Sequence, residues 1–239
     1  MIERISSGIS GLDSLLQGGF PKGSASLIVG PPGSGKSTLV REITYSSLKQ
    51  NLKVIYITTT EPVSNVLKQM RINGWEVNGY VGKELIFIDG YSWRVPSELR
   101  EKQEFQLSSI VKLNELDNLV LKAIQKLGSE KGKIVMIFDT VSDLLLHSEK
   151  QSVFKLLQLI TAKIKAVNGT SFIVLEGGLH EPRDVATISY ITDGTIEMKI
   201  EEDKRYLRIV RMIDTVHPLK WILFEIGHGI TIKVEEFFK

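Results

Sequence analysis

Five short apolar runs punctuate the chain: SLIVG (26–30), KVIYIT (53–58), ELIFID (84–89), IVMIFD (134–139) and SFIVLE (171–176). Each reads as a buried strand. Between them, apolar residues recur at helical spacing near 37–50, 62–73, 114–128 and 150–167, which predicts amphipathic helices. In the last of these, Val153, Leu156, Leu157, Ile160 and Ile164 form one apolar face, and Lys155, Lys163 and Lys165 fall largely on the solvated side. Strand and helix alternating in this way predict an α/β fold with a mainly parallel sheet covered on both faces.

The pattern changes after residue 187. ISYITDGTIEMKI, RYLRIVRMI, WILFEI and GITIKV read as successive strands separated by polar or Gly-containing turns. They predict C-terminal antiparallel strands extending the sheet at one edge. Residues 90–113 fit the sheet pattern least and carry Tyr91, Trp93 and Pro96 among charges, which suggests an excursion packed over the site. There is no internal repeat and no Pro/Ser/Gly-rich linker, so residues 1–239 are expected to form a single domain.

Composition narrows the function classes. A formal net charge of +2 is too mild to imply a nucleic-acid partner by itself. The chain has no cysteine, which excludes a disulfide framework, a thiol nucleophile and a Cys-based zinc site. His147, His180, His217 and His228 match no metal-ligand spacing. No apolar stretch approaches the length of a membrane span, so a soluble cytoplasmic protein is expected.

The candidate chemistry begins directly after the first strand. Gly30, Pro31, Pro32, Gly33, Ser34, Gly35, Lys36, Ser37 and Thr38 meet the full G-x-x-x-x-G-K-[ST] spacing. Glycines in such a loop let backbone N–H groups turn inward around phosphate oxygens. Lys36 places an ammonium on the β/γ-phosphates, and the Ser37 hydroxyl can ligate Mg²⁺. The helix that follows adds the positive end of its dipole.

A phosphate loop of this kind needs an acid for the water shell of Mg²⁺. Asp139, at the end of IVMIFD, is the candidate, and its alternative role is a cap on the next turn or helix, a part Asp143 could also take. Thr140 could bond to the metal shell or the γ-phosphate. Glu61, after KVIYITTT, is the candidate to orient or deprotonate the attacking water; otherwise it is a carboxylate at a helix N-terminus. Glu176, closing SFIVLE, is either a γ-phosphate sensor or a loop carboxylate.

With these residues in view, the chain resembles the RecA/RadA superfamily, and within it the single-domain KaiC-like ATPases and archaeal RadA paralogues. The resemblance covers nearly the whole length. SSGISGLDSLLQGGFPKGSASLIVGPPGSGKST is similar to the KaiC signature of a Gly-Leu-Asp turn, a Gly-Gly-x-Pro-x-Gly turn and the phosphate loop. TTTEPVSNVLKQMRINGWEV resembles the segment with the catalytic carboxylate, IVMIFDT stands at the Walker B position, and ITDGTIEMKI with RYLRIVRMIDTVHP resembles the closing strands. Two departures stand out. Relatives commonly carry two adjacent glutamates where this chain has Thr60 and Glu61. They often carry a Lys-x-Arg pair, reaching the γ-phosphate of a neighbouring subunit, where it has Arg211 and Ile213.

The resemblance implies a RecA-like P-loop core that binds ATP and Mg²⁺ and hydrolyses ATP, and the departures at Thr60 and Ile213 imply that it does so slowly. It also implies a ring-like or head-to-tail homo-oligomer, with Arg211 as a contact in trans, and an accessory role in DNA recombination or repair beside a protein partner such as a recombinase. The alternative is a nucleotide-gated protein-binding module in which hydrolysis is incidental; a small-molecule kinase shares only the loop. Single-stranded DNA is a weaker expectation. Arg94, Arg100 and Lys102 lie near Tyr91 and Trp93, but Glu98, Glu101 and Glu104 share that segment and favour a solvated helix.

Overall fold

The computed structural model describes residues 2–100, 103–128 and 130–232. In chain order the elements are β1 (Arg4–Ile5), α1 (Ser10–Leu15), β2 (Phe20–Pro21), β3 (Ala25–Gly30), α2 (Lys36–Lys49), β4 (Lys53–Thr58), α3 (Val63–Ile72) and β5 (Leu85–Asp89). There follow α4 (Leu113–Leu127), β6 (Ile134–Asp139), α5 (Ser142–His147), α6 (Lys150–Ala166), β7 (Thr170–Glu176) and α7 (Pro182–Ile191). The chain closes with β8 (Gly194–Glu201), β9 (Lys204–Met212), β10 (Ile222–Ile226) and β11 (Ile230–Ile232).

Among the described residues the main sheet has nine strands in the order β11-β10-β9-β8-β3-β7-β6-β4-β5. Pairing is parallel from β8 through β3, β7, β6 and β4 to β5, and antiparallel from β8 out to β11. This is the expected parallel core with an antiparallel extension. Side chains alternate across it: Ile28, Val54 and Tyr56 join α1, α2 and α3 on one face, while Leu27, Val29, Ile55 and Ile57 join α4 to α7 on the other. On α6, Val153, Leu156, Leu157, Ile160 and Ile164 are all buried, as their spacing predicts. The buried apolar residues of β8 to β11, such as Met198, Leu207 and Phe224, all belong to the α1–α2 face.

One strand expectation is corrected. ISYITDGTIEMKI is not a continuous strand: Ile188–Ile191 complete helix α7, and the strand starts at Gly194. Pro182 opens that helix with a pre-set φ and Asp184 sits in its first turn. Of the last run, GITIKV, Ile230–Ile232 form β11, and residues 233–239 lie outside the described residues.

The expected excursion at 90–113 contains two short 3-10 turns, Ser92–Arg94 and Ser97–Leu99, before α4 begins. It packs beside the loop after β4, not over the phosphate loop: Arg94 donates to the Thr59 carbonyl at 2.7 Å and to the Asp143 carboxylate at 2.7 Å. No helix among the described residues is long and apolar enough to cross a membrane.

Candidate nucleotide site

Parallel strands deliver their carboxyl ends to one edge, so Gly30, Thr58, Asp89, Asp139 and Glu176 end together there. The phosphate loop leaves β3 between β7 and β8 and turns into α2 at Gly35. Gly33 and Gly35 have φ of +78° and +99°, a region costly for any residue with a Cβ. At Gly35 a Cβ would also lie 2.7 Å from Ile226 Cδ1, so that side chain would have to shift to admit one. No side chain caps α2, leaving its first N–H groups to an anion.

The residues present fit a magnesium-bound triphosphate. Ser34 Oγ is buried without a protein partner at the base of the loop. Ser37 Oγ donates to Asp139 Oδ1 at 3.2 Å, which places a hydroxyl and a carboxylate side by side, the hard oxygen set Mg²⁺ prefers. Lys36 is 4 % exposed, and its ammonium donates to Pro31 O at 2.8 Å and to Glu176 Oε2 at 2.9 Å. The cleft above these groups holds about 420 Å³ and is walled by Gly33, Thr38, Glu176, Arg205 and Ile226. A larger hollow of about 560 Å³ lies near the starts of α4 and α6, but Glu115 and Glu149 line it and disfavour phosphate.

The family model for KaiC ATPases matches residues 5–237. The chain belongs to the KaiC ATPase family. A UPF0273 protein of Thermotoga maritima is 25 % identical to it over 246 aligned residues, spanning 99 % of this chain and 98 % of the relative. A UPF0273 protein of Pyrobaculum aerophilum is 26 % identical, over 100 % of this chain and 85 % of its own. The crystal structure of a KaiC-like protein from Pyrococcus horikoshii superposes with a TM-score of 0.78 at 21 % identity, covering 98 % of this chain and 100 % of that one. This likeness agrees with the RecA-like α/β fold.

Within the family frame, the opening signature has a structural task. Asp13 of the Gly-Leu-Asp turn accepts from the Ser7 N–H at 2.8 Å and the Ser7 hydroxyl at 2.7 Å. A Cβ on Gly19 would come within 2.2 Å of the Ile5 carbonyl oxygen, so the turn admits only glycine. These contacts seat the first strand pair, and Ser46 of α2 donates to Ser6 O at 3.0 Å.

The structure sorts the remaining candidates. Asp139 accepts from Ser37 with one oxygen, and its second oxygen accepts from the buried Tyr56 hydroxyl at 2.7 Å. Burial first, and the neighbouring Asp139 charge second, push the Tyr56 pKa well above its ordinary value. Thr140 does not face the cleft: its hydroxyl donates to the Val174 carbonyl at 2.6 Å inside the sheet. Asp143 caps nothing with its carboxylate and instead pairs with Arg94. Glu61 stands just before the first turn of α3, ion-paired with Arg41 and accepting from Asn65. Arg211 donates to the Ser189 and Thr192 carbonyls at 2.5 and 2.6 Å, around the C-terminal end of α7.

Arg94 and Arg100, beside Tyr91 and Trp93, are both engaged internally. Arg94 is bound as above and lies 5.0 Å from the Trp93 ring centroid, and Arg100 donates to Trp93 O and Val95 O. Glu101 and Lys102 lie outside the described residues. Besides Tyr56, three residues of the site escaped sequence reasoning. Arg205 donates to Gly33 O at 3.0 Å and, with Ile226, brings the C-terminal strands to the cleft. Arg41, one turn into α2, is buried beneath it. None belongs to a motif; only the tertiary fold brings them to the loop.

Proposed function

We propose that this chain is a Mg²⁺-dependent ATPase of slow turnover. The observation that carries the reading is the meeting of Ser37 with Asp139 at 3.2 Å, below a glycine loop that holds Lys36. Gly30 to Thr38 would bind the phosphates, Lys36 the β/γ oxygens, and Ser37 with Asp139, through water, the metal. Held by Ser37 and Asp139, Mg²⁺ would supply positive charge that neutralises the charge developing in phosphoryl transfer. Glu61 orients the attacking water, and Arg205 and Ile226 line the cleft beyond the loop.

Slow turnover is inferred from two groups that the chain lacks. Thr60 supplies no second carboxylate, and Ile213 supplies no cation where relatives often have one. A homo-oligomer, a recombinase partner and a role in recombination or repair remain proposals that rest on the resemblance. Single-stranded DNA has less support, since Arg94 and Arg100 are engaged by their own segment and its neighbours.

A second reading, a nucleotide-gated module that recruits a protein, is favoured by one observation. Arg211 is held at the end of α7 and Ile213 beside it is 43 % exposed and apolar, an arrangement suited to contact more than to catalysis. Phosphate release under Mg²⁺-ATP separates the two. The parent chain should turn over slowly, and Glu61→Gln should lower the rate about 10²-fold while ATP still binds. Equal rates in parent and variant would remove Glu61 from the reaction, and a parent that binds ATP without hydrolysis would leave the gated module.

A further inference from the structure

Beneath the cleft, six side chains form one continuous polar chain. Ser37 donates to Asp139, whose other oxygen accepts from Tyr56 at 2.7 Å. Arg41 lies against the Tyr56 hydroxyl and pairs with Glu61, and Asn65 donates to the second Glu61 oxygen. Arg41 is 8 % exposed and Tyr56 is fully buried, so this connection runs through the interior.

A buried guanidinium in such a place needs a reason. Burial works against the Arg41 charge, but Tyr56, Asp139 and Glu61 around it more than offset this and hold its pKa above the ordinary value. Replacing a buried ion pair with apolar residues often leaves stability unharmed or improved, so stability alone is a weak reason to keep one. A geometric role is the stronger account. A carboxylate offers about four lone-pair sites, and Arg41 and Asn65 take one on each oxygen of Glu61. The remaining sites are free to accept from water while the carboxylate cannot rotate. The backbone is fixed as well, because the Thr58 hydroxyl donates to Glu61 O at 2.7 Å.

We propose that Arg41 is a positioning residue for hydrolysis, fixing the Glu61 carboxylate in register with the Ser37–Asp139 metal shell through Tyr56. The inference rests on the reading of Glu61 as the water-orienting carboxylate. Arg41 adds no proton step and touches no phosphate. It sets where Glu61 stands, and in phosphoryl transfer position outweighs base strength.

The test combines two measurements on the full chain. Steady-state phosphate release under Mg²⁺-ATP gives kcat and KM for the parent, Arg41→Met and Arg41→Lys. Urea unfolding without nucleotide gives midpoints for the parent, Arg41→Met, Glu61→Gln and the double variant. Arg41→Met should lower kcat at least tenfold with KM changed less than threefold, and Arg41→Lys should recover part of the loss. The midpoint shift of the double variant should differ from the sum of the single shifts, as for groups in contact. Additive shifts, or an active parent whose kcat is unchanged or raised by Arg41→Met, would overturn the proposal. A parent that hydrolyses nothing, with non-additive shifts, would overturn it by a different route: the ATPase reading fails and the Arg41–Glu61 pair is structural.

Discussion

At the scale of single residues, the site is defined by charges that face each other across the loop. Lys36 has Glu176 as its partner at 2.9 Å, and both border the cleft. A triphosphate arriving there would meet one cation already shared and one carboxylate of its own sign. Glu176→Gln removes the repulsion, keeps the shape and frees the ammonium. Because Glu176 is 25 % exposed, solvent screens the effect, and a change of about 0.5–1 kcal/mol, about two- to fivefold in affinity, is expected. Titration calorimetry with Mg²⁺-ATP should show tighter binding in the variant; weaker binding would mean that Glu176 contributes a favourable contact. Lys36, Ser37 and Asp139 were legible in the sequence because motif spacing fixes them relative to strand ends. Arg41 was not, since an arginine on a helix normally faces solvent, and only Tyr56, Asp139 and Glu61 closing around it explain its burial.

At the scale of elements, α2 joins the phosphate loop to the C-terminal strands. Glu42 on this helix accepts the Ile230 N–H at 2.8 Å, and a Cβ on Gly229 would stand 2.9 Å from the same carboxylate. Burial raises the Glu42 pKa to about 7, and the Ile230 N–H only partly counters it. The sign follows from proton binding. Between the unfolded value of 4.5 and the folded value of about 7, the native state holds more protons than the unfolded one. This carboxyl therefore makes the fold less stable as pH rises through that window, with the loss complete above it. Glu42→Gln should raise the thermal midpoint at pH 8 relative to pH 5 and flatten that part of the profile, as scanning calorimetry would show. An unchanged slope would place Glu42 in water. The central strands were readable because both of their faces are covered, which produces unbroken apolar runs. Ile188–Ile191 misled for the same reason: ISYI looks like a strand, yet Ile188 is buried while Tyr190 is 85 % exposed, the spacing of a helix.

At the scale of the whole molecule, the two ends of the sheet divide the chemistry. Met212 pairs with Gly194 and Gly194 with Ser26, so Arg211 and Ile213 lie at the opposite end of β3 from the loop after Gly30. They can reach a phosphate only in another copy of the chain, arranged head to tail. The double variant Thr60→Glu/Ile213→Arg should then hydrolyse ATP faster than either single variant, by far less than the roughly 10³–10⁵ of a fully engaged arginine finger. Phosphate release, read beside sizing by light scattering, checks this; unchanged rates in a demonstrated oligomer would contradict the trans alignment. The parallel core and its antiparallel extension were legible from the pattern, whereas the arrival of Arg205 and Ile226 at the cleft was not, because long-range strand pairing alone brings them there. The account as a whole depends on the loop from Gly30 to Thr38 binding a triphosphate through Lys36. Titration calorimetry of Mg²⁺-ATP against the parent and Lys36→Ala tests it most directly. The account predicts saturable binding by the parent and a loss of at least tenfold in affinity in a variant that remains folded; equal affinity in the two would contradict it.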